Sequence, residues 1–260
     1  MKTFVMGDIH GSHKALIQCL DRCDFNYQND RLIQLGDVAD GHDEVFECVE
    51  ELLQIKSLIS IKGNHDDWFN EFIETDFHPY YWTYGGKGTL VSYLKNSGKN
   101  GRYFASSSGF KSALTNFDIP KEHQDFFKKQ QLYYLDEYQR LFLHAGFDRH
   151  NPFLEQKQAE YFWNRSLWIE AMEYKTDGKG LKDFGLDAAF NEIYIGHTST
   201  LRWCSDKPLT AYNITNMDTG AGSTGRLTIM DIDNKMFWQS DLLSELYPKL
   251  QNQEAIMSNH

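Results

Sequence analysis

Seven polar side chains stand directly after apolar runs in this chain of 260 residues: Asp8, His10, Asp37, Asn64, His65, His144 and His197. Each has a glycine within two residues, a setting that allows tight turns and close backbone approach. Mixed carboxylate and imidazole donors suit a first-row divalent cation, with manganese the first expectation and iron or zinc the alternatives. Six ligand-type side chains exceed what one catalytic ion needs, because a position must stay open for water. Two ions bridged by one carboxylate would use them all. Metals about 3.5–4 Å apart clamp the attacking and leaving oxygens of an in-line displacement, and a shared hydroxide with its pKa lowered towards about 7 is the nucleophile. Phosphoester hydrolysis is the natural reaction for such a set.

Taken singly, each residue has an ordinary explanation. A Gly-Asp pair after a strand is usually a turn, and His65 alone could simply cap the helix that follows it. Five strand ends with the same feature are a different matter, and the elements behind them explain why. Lys2–Met6, Arg31–Leu35 and Leu58–Lys62 read as short buried strands. Between them lie a helix from Ser12 to Cys23, with Ala15, Leu16, Cys19 and Leu20 on one face, and another from about Asp43 to Ile55. A third helix is expected from about Asp67. This βαβαβ order predicts a parallel sheet covered by helices, with ligands at the carboxyl ends of its strands.

Regularity is lost from Thr75 to Phe117, where "HPYYWTYGGKG" and "NSGKNGRYFASSSG" suggest loops around one or two short helices. A helix is expected over Ile119–Tyr134, then strands at Arg140–Leu143 and Glu192–Ile195 on either side of a polar, aromatic segment, Asn151–Asp187. Antiparallel strands with glycine-rich turns are expected to close the chain. Its "DTGAGSTG" lacks a P-loop lysine and a following helix, so it reads as a backbone turn close to the polar loops. In the stretch "LGDVADGHDE", Asp43 and Glu44 suit the cap and first turn of the next helix, and His42 reads as a surface turn residue. The aromatic cluster Tyr80, Tyr81, Trp82 and Tyr84 reads as packing ahead of a base-stacking platform.

Composition narrows the function class. Hydrophobic residues make up 41% and aromatics 15%, enough for a sizeable core and against disorder. The net charge of −11 argues against a surface that coats nucleic acid. No apolar stretch is long enough for a membrane span, and "MKTFVMGDIHG" has no apolar signal region. A soluble, cytoplasmic protein is the expectation. Cys19, Cys23, Cys48 and Cys204 show no metal-pair spacing and are expected to be buried free thiols.

In the order "GDIHG" (Gly7–Gly11), "GDVAD" (Gly36–Asp40), "GNHD" (Gly63–Asp66), "HAG" (His144–Gly146) and "GHT" (Gly196–Thr198), the chain resembles the calcineurin-like metallophosphoesterases. More narrowly it resembles bacterial and phage serine/threonine protein phosphatases and the symmetrical diadenosine tetraphosphatases, with further matches at "WTYGG", "LYYLDE", "WNR" and "MDTGA". The resemblance implies an α/β, four-layer αββα sandwich with mixed sheets. It implies one domain over 1–260, with an irregular, partly helical cap insertion at about 75–135. One metal would be held by Asp8, His10 and a bridging Asp37, the other by Asp37, Asn64, His144 and His197. His65 matches the general acid, Asp40 the carboxylate that orients it, and Arg165 a phosphate-gripping arginine; Asn64 could also face the phosphate. The implied substrates are a phosphorylated protein or a small phosphoester or nucleotide. A diadenosine tetraphosphatase is the alternative enzyme, and a catalytically silent scaffold is the alternative of another class. The chain departs from the family at Gly41, where those enzymes usually place a phosphate-contacting arginine; Lys87, Lys111 and Arg202 are the candidates to replace it.

Overall fold

Successive residues of the first strand serve different cores. Phe4 and Met6 point into one apolar cluster with helical residues, whereas Val5 points into another with no helix in it. This is the period-two alternation of a sheet covered on both faces. The computed structural model describes residues 1–99, 104–106, 109–186 and 190–248. In chain order its strands are β1 (Thr3–Met6), β2 (Arg31–Gln34), β3 (Ser57–Ser60), β4 (Phe104–Ser106), β5 (Gly109–Lys111), β6 (Tyr133–Leu135), β7 (Arg140–Leu143), β8 (Glu192–Ile195), β9 (Leu209–Ala211), β10 (Ile214–Asn216), β11 (Thr228–Asp231) and β12 (Phe237–Gln239). Its helices are α1 (His13–Arg22), α2 (Val45–Leu52), α3 (Asn64–Thr75), α4 (Lys87–Asn96), α5 (Lys121–Lys129), α6 (Gln158–Trp163), α7 (Ser166–Thr176), α8 (Leu181–Phe184) and α9 (Leu243–Leu246).

Two five-stranded mixed sheets run β12-β11-β1-β2-β3 and β6-β7-β8-β10-β9, and β4 and β5 form a separate antiparallel pair. Val5, Ile33, Phe142, Tyr194 and Met230 form the layer between the large sheets. The other face of the first sheet (Phe4, Met6, Leu32, Ile229) packs on residues of α1 to α5, and that of the second (Leu141, Leu143, Ile193, Ile195) on α6 to α8. The layers are therefore αββα, as expected. The segment 75–135 adds Trp82, Leu90, Tyr93, Phe126 and Phe127 to the first of these cores.

Register sets the site. Met6 pairs with Gln34 and Gln34 with Ser60 in parallel, so the loops after β1, β2 and β3 emerge at one level. In the second sheet β7, β8 and β10 are also mutually parallel.

Several local expectations need correction. Helix α3 begins at Asn64 and not near Asp67, because Asp66 anchors its start. The Asp66 carboxylate accepts the Gly63 N–H at 3.1 Å and the Val38 and Ala39 N–H groups at 2.9 Å each. The helix expected over 119–134 stops at Lys129. Beyond it, the Gln131 N–H bonds the Ser60 carbonyl at 2.9 Å and β6 pairs with β7, so sheet pairing overrides helix propensity. The polar segment from Asn151 carries α6, α7 and α8. Part of the loop expected around "NSGKNGRYFASSSG", and Asp187 at the end of that polar segment, lie outside the described residues. His42 is buried and not on the surface: its ring lies 4.2 Å from that of Tyr247, brought there by α9. Glu44 stands at the cap of α2 without a side-chain capping bond and instead accepts from the Tyr247 hydroxyl. Cys19, Cys23 and Cys48 are buried free thiols, but Cys204 is exposed where a short 3-10 turn ends in a left-handed conformation.

Candidate active site

Five of the seven strand-end residues stand in loops and Asn64 and His65 open helix α3, and four site residues take positive φ: His10 (50°), Asp37 (54°), Asp40 (69°) and His197 (66°). Such backbone is disfavoured for these side chains and persists only where the surroundings impose it. Here the cause is the crowding of five loops. At Gly63 a Cβ would overlap the Asp37 carboxylate, and at Gly196 one would overlap that of Asp8, so these loops close only on glycine.

Asp37 is the hub. Its Oδ2 lies 3.6 Å from His10 Nε2 and 3.3 Å from His144 Nε2, while its Oδ1 accepts the His65 N–H at 3.0 Å. Asp8 Oδ2 stands 3.9 Å from His10 Nε2, and both Asp8 oxygens accept the His197 N–H, at 3.2 and 3.1 Å. His144 Nδ1 lies 2.8 Å from the Leu35 carbonyl, which can only accept. Its Nε2 therefore faces inward, 3.2 Å from Asn64 Oδ1. Two groups of donors each fall within 4.8 Å of one another, His10–Asp37–His65 and Asp37–His144–His197, and Asp37 belongs to both.

These residues fit divalent ions on two observations. Among the described residues, the buried Nε2 of His197 has no hydrogen-bond partner. Around His144 Nε2 the oxygens of Asn64 and Asp37 converge, a donor set that a divalent cation can take in place of a proton. His10 and Asp8 bring the same donor chemistry to the other side of Asp37.

Electrostatics separates the four histidines, with His144 raised because Asp37 outweighs its burial. Burial drives His10 down to about 4 against the pull of Asp37, and burial together with His144 and Arg165 drives His197 to about 2. Both are neutral imidazoles with a lone pair to offer. His65 goes the other way: burial opposes its charge, but the Asp37 carboxylate and a hydrogen bond to Asp40 lift it to about 9. His65 Nδ1 lies 2.8 Å from Asp40 Oδ2, and Asp40 Oδ1 in turn accepts from the Thr89 hydroxyl at 2.6 Å. Asp8 is raised by burial, Asp218 and Asp37, whereas Asp37 itself stays ionised because His144 and His65 outweigh its burial.

A cleft of about 370 Å³ opens over this cluster, lined among others by His10, His65, Arg165, His197, Asp218, Tyr84 and the glycines Gly41 and Gly85. Arg165 Nη1 donates to the His197 carbonyl at 2.8 Å and the Thr198 hydroxyl at 3.1 Å, which fixes its guanidinium at the rim. Beside His65 an aromatic shelf forms: Trp68 meets its ring edge-on at 4.7 Å, and Tyr81 stacks on Trp68 at 5.8 Å. The packing expectation for "YYWTY" therefore describes Trp82, which is fully buried against Phe69 and Phe72, but not the exposed Tyr80, Tyr81 and Tyr84. The turn within "DTGAGSTG" passes close to the site, with Gly222 against the His10 ring. Three residues that sequence reasoning gave no role also belong here. Asp66 ties two site loops together, Thr89 backs Asp40, and Asp218 is buried on the cleft and raised by that burial to about 6. Asp66 and Asp218 lie inside the motifs "GNHD" and "MDTGA"; nothing in the sequence marks Thr89.

The family model for calcineurin-like phosphoesterases matches residues 1–200. The chain belongs to this family. Among curated calcineurin-like relatives, serine/threonine-protein phosphatase 1 of Salmonella typhimurium is 35% identical over 63 residues, 24% of this chain and 29% of that protein. Serine/threonine-protein phosphatase 2 of the same organism is 34% identical over 83 residues, 32% of this chain and 38% of the relative. The symmetrical bis(5'-nucleosyl)-tetraphosphatase of Nitrosomonas europaea is 30% identical over 67 residues, 25% of each. The matched part thus spans well under half the length of these relatives. Similar solved structures include a candidate diadenosine tetraphosphatase (TM-score 0.62, 15% identity, 92% of both chains). Another is a cold-active protein tyrosine phosphatase (TM-score 0.57, 15% identity, 92% of this chain and 78% of that one). At that identity they show the shared fold. Membership of the calcineurin-like phosphoesterase family implies divalent metal ions, and the two donor groups that share Asp37 are the candidates to hold them. Among the described residues no helix is long and apolar enough to cross a membrane.

Proposed function

We propose that this protein is a phosphomonoesterase of the serine/threonine protein phosphatase type, acting in the cytoplasm. The observation that carries this reading is the pairing, in one cleft, of a carboxylate-backed imidazolium with a cluster of neutral imidazoles and carboxylates. Asp8, His10 and Asp37 would hold one metal ion, and Asp37, Asn64, His144 and His197 the other. Two such ions, manganese first with iron or zinc as alternatives, supply Lewis acidity and a water of lowered pKa when bound.

The remaining work falls to the chain's own groups. Arg165 holds phosphoryl oxygens with the part of its guanidinium not bonded to His197 and Thr198. The Asn64 side chain faces the same oxygens. His65 donates its Nε2 proton to the departing alkoxide, and Asp40, held by Thr89, keeps the ring oriented and charged for that step. Segment 75–135, read as a cap-like insertion in a single domain over 1–260, supplies Thr89 and places Tyr84 and Gly85 on the cleft wall.

A second reading rests on the aromatic shelf. Tyr81 stacked on Trp68, one ring away from His65, would suit a nucleoside leaving group, as in hydrolysis of a dinucleoside polyphosphate. Rates of manganese-loaded protein and its His65→Asn variant on a phosphoserine/phosphothreonine peptide and on diadenosine tetraphosphate decide between them. Faster release of inorganic phosphate from the peptide supports the phosphatase. Faster release of a nucleoside diphosphate from the dinucleotide transfers the assignment to the second reading. Hydrolysis of neither substrate by the wild-type protein overturns both and favours a silent scaffold.

A further inference from the structure

Acidic residues outnumber basic ones by 37 to 26 in this chain, and four of its eight arginines are held by carboxylates. Arg22, Arg140, Arg149 and Arg226 each pair with a carboxylate. The two arginines that line the cleft, Arg165 and Arg202, pair with none among the described residues. Arg165 has one nitrogen committed to the His197 carbonyl and the Thr198 hydroxyl. The guanidinium of Arg202 carries no hydrogen bond or ion pair among the described residues.

An unpaired surface arginine is ordinarily a mobile, solvated group, but the backbone beneath Arg202 is pinned from several sides. It belongs to the 3-10 turn Thr200–Trp203, which Ser199 caps by accepting the Leu201 N–H at 3.3 Å. The Thr200 N–H bonds the Asp218 carbonyl at 2.8 Å, and the Thr200 hydroxyl bonds the Ser205 carbonyl at 2.8 Å. Leu201 sits against Gly220, and Trp203 meets Trp168 edge-on at 5.8 Å. Elsewhere the lining includes Gly41 and Gly85, which have no side chain to reach an anion, beside His10, His65 and Tyr84. Two cations are thus held over one cleft. Burial first and Arg202 second disfavour the charge on Arg165, while Asp8, Asp218 and Asp37 favour it. Such a pair is relieved by a dianion seated between them.

We infer that Arg202 is a phosphate-binding arm of the site: it and Arg165 take the non-bridging oxygens of the substrate's phosphoryl group from one side, and Arg202 does so with the freer guanidinium. Planar forks of this kind match tetrahedral oxyanions. The inference rests on the phosphomonoesterase reading. Of the three cations considered as phosphate partners from sequence, Arg202 is the one that lines the cleft; Lys111 lies in β5, next to the Ser112 that bonds His78.

The test uses the metal-loaded protein, p-nitrophenyl phosphate as substrate and inorganic phosphate as competitive ligand, with Arg202→Gln and Arg202→Lys beside the wild type. Metal content and thermal midpoint establish that each variant is folded and loaded. For Arg202→Gln, KM and the inhibition constant of inorganic phosphate should rise together by about 10- to 100-fold, with the larger part of the loss in KM and not in kcat. Arg202→Lys should recover part of the loss. Variants whose KM and phosphate inhibition constant stay within about twofold of wild type overturn the inference. Phosphate titration by calorimetry keeps the two readings apart: a wild-type protein that binds phosphate through Arg202 yet turns over no phosphoester refutes the phosphomonoesterase and leaves the arm standing.

Discussion

The two walls of the cleft place histidines in opposite environments. On the wall built from the first sheet, His65 has Asp40 behind it and Asp37 below it, and it is held charged up to about 9. On the wall built from the second sheet, His197 is as deeply set but has His144 and Arg165 for neighbours, and it is held neutral down to about 2. Burial disfavours charge on both rings, so the sign of the nearest partner decides the outcome. One fold thereby makes a charged imidazolium and a neutral imidazole from the same side chain. The carboxylate-backed imidazolium and the two cleft arginines also end up on different walls, an arrangement that would suit a reaction in which the leaving group departs away from held phosphoryl oxygens.

The largest effect should come from Asp37, the residue that both walls share. Asp37→Asn should lower metal affinity by more than about 100-fold and remove turnover with it. Two metals retained at full activity, read by elemental analysis of the purified protein, would rule out the bridging role. His65→Asn acts on one wall alone. Metal content should hold while turnover of alkyl phosphates drops by about 10²–10⁴-fold, with a smaller drop for aryl phosphates whose leaving groups need less protonation.

Asp40→Asn sharpens the contrast further. Without the anion behind it the His65 imidazolium is less stable, so its pKa moves from about 9 towards 6.5. The alkaline limb of the pH–rate profile should therefore shift to lower pH, and an unmoved limb would detach Asp40 from this role. The smallest effect belongs to the shelf. Tyr81→Ala should raise KM by about 2- to 10-fold for substrates with an aromatic or nucleoside leaving group and leave phosphoserine peptides nearly unchanged. Equal effects on both substrate types would return Tyr81 to simple packing.

The first sheet was legible in sequence because β1, β2 and β3 are short apolar runs separated by helices with one clear apolar face. The polar residues that follow them advertise the site by repetition. Other parts were hidden for identifiable reasons. The end of α5 yields to an edge-pairing contact with Ser60 from a distant strand, which no local pattern records. His42 looks like a turn residue until Tyr247 arrives from the far end of the described chain. Tyr80, Tyr81, Trp82 and Tyr84 have nearly identical local context, yet Trp82 enters the core and Tyr81 lies on Trp68 outside it.

What the amino-acid sequence determined by itself was the kind of chemistry: residue types, their position after apolar strands and the glycines beside them prescribe a cluster of donors at one end of a sheet. What the tertiary structure alone decided was the state of each donor. Whether an imidazole is charged, which nitrogen faces inward, and which arginine reaches the cleft all depend on partners tens to hundreds of residues away, such as Thr89 behind Asp40 and Asp8 beneath His197. Electrostatic energies vary with distance through space and with burial, and neither quantity is written in the local order of the chain.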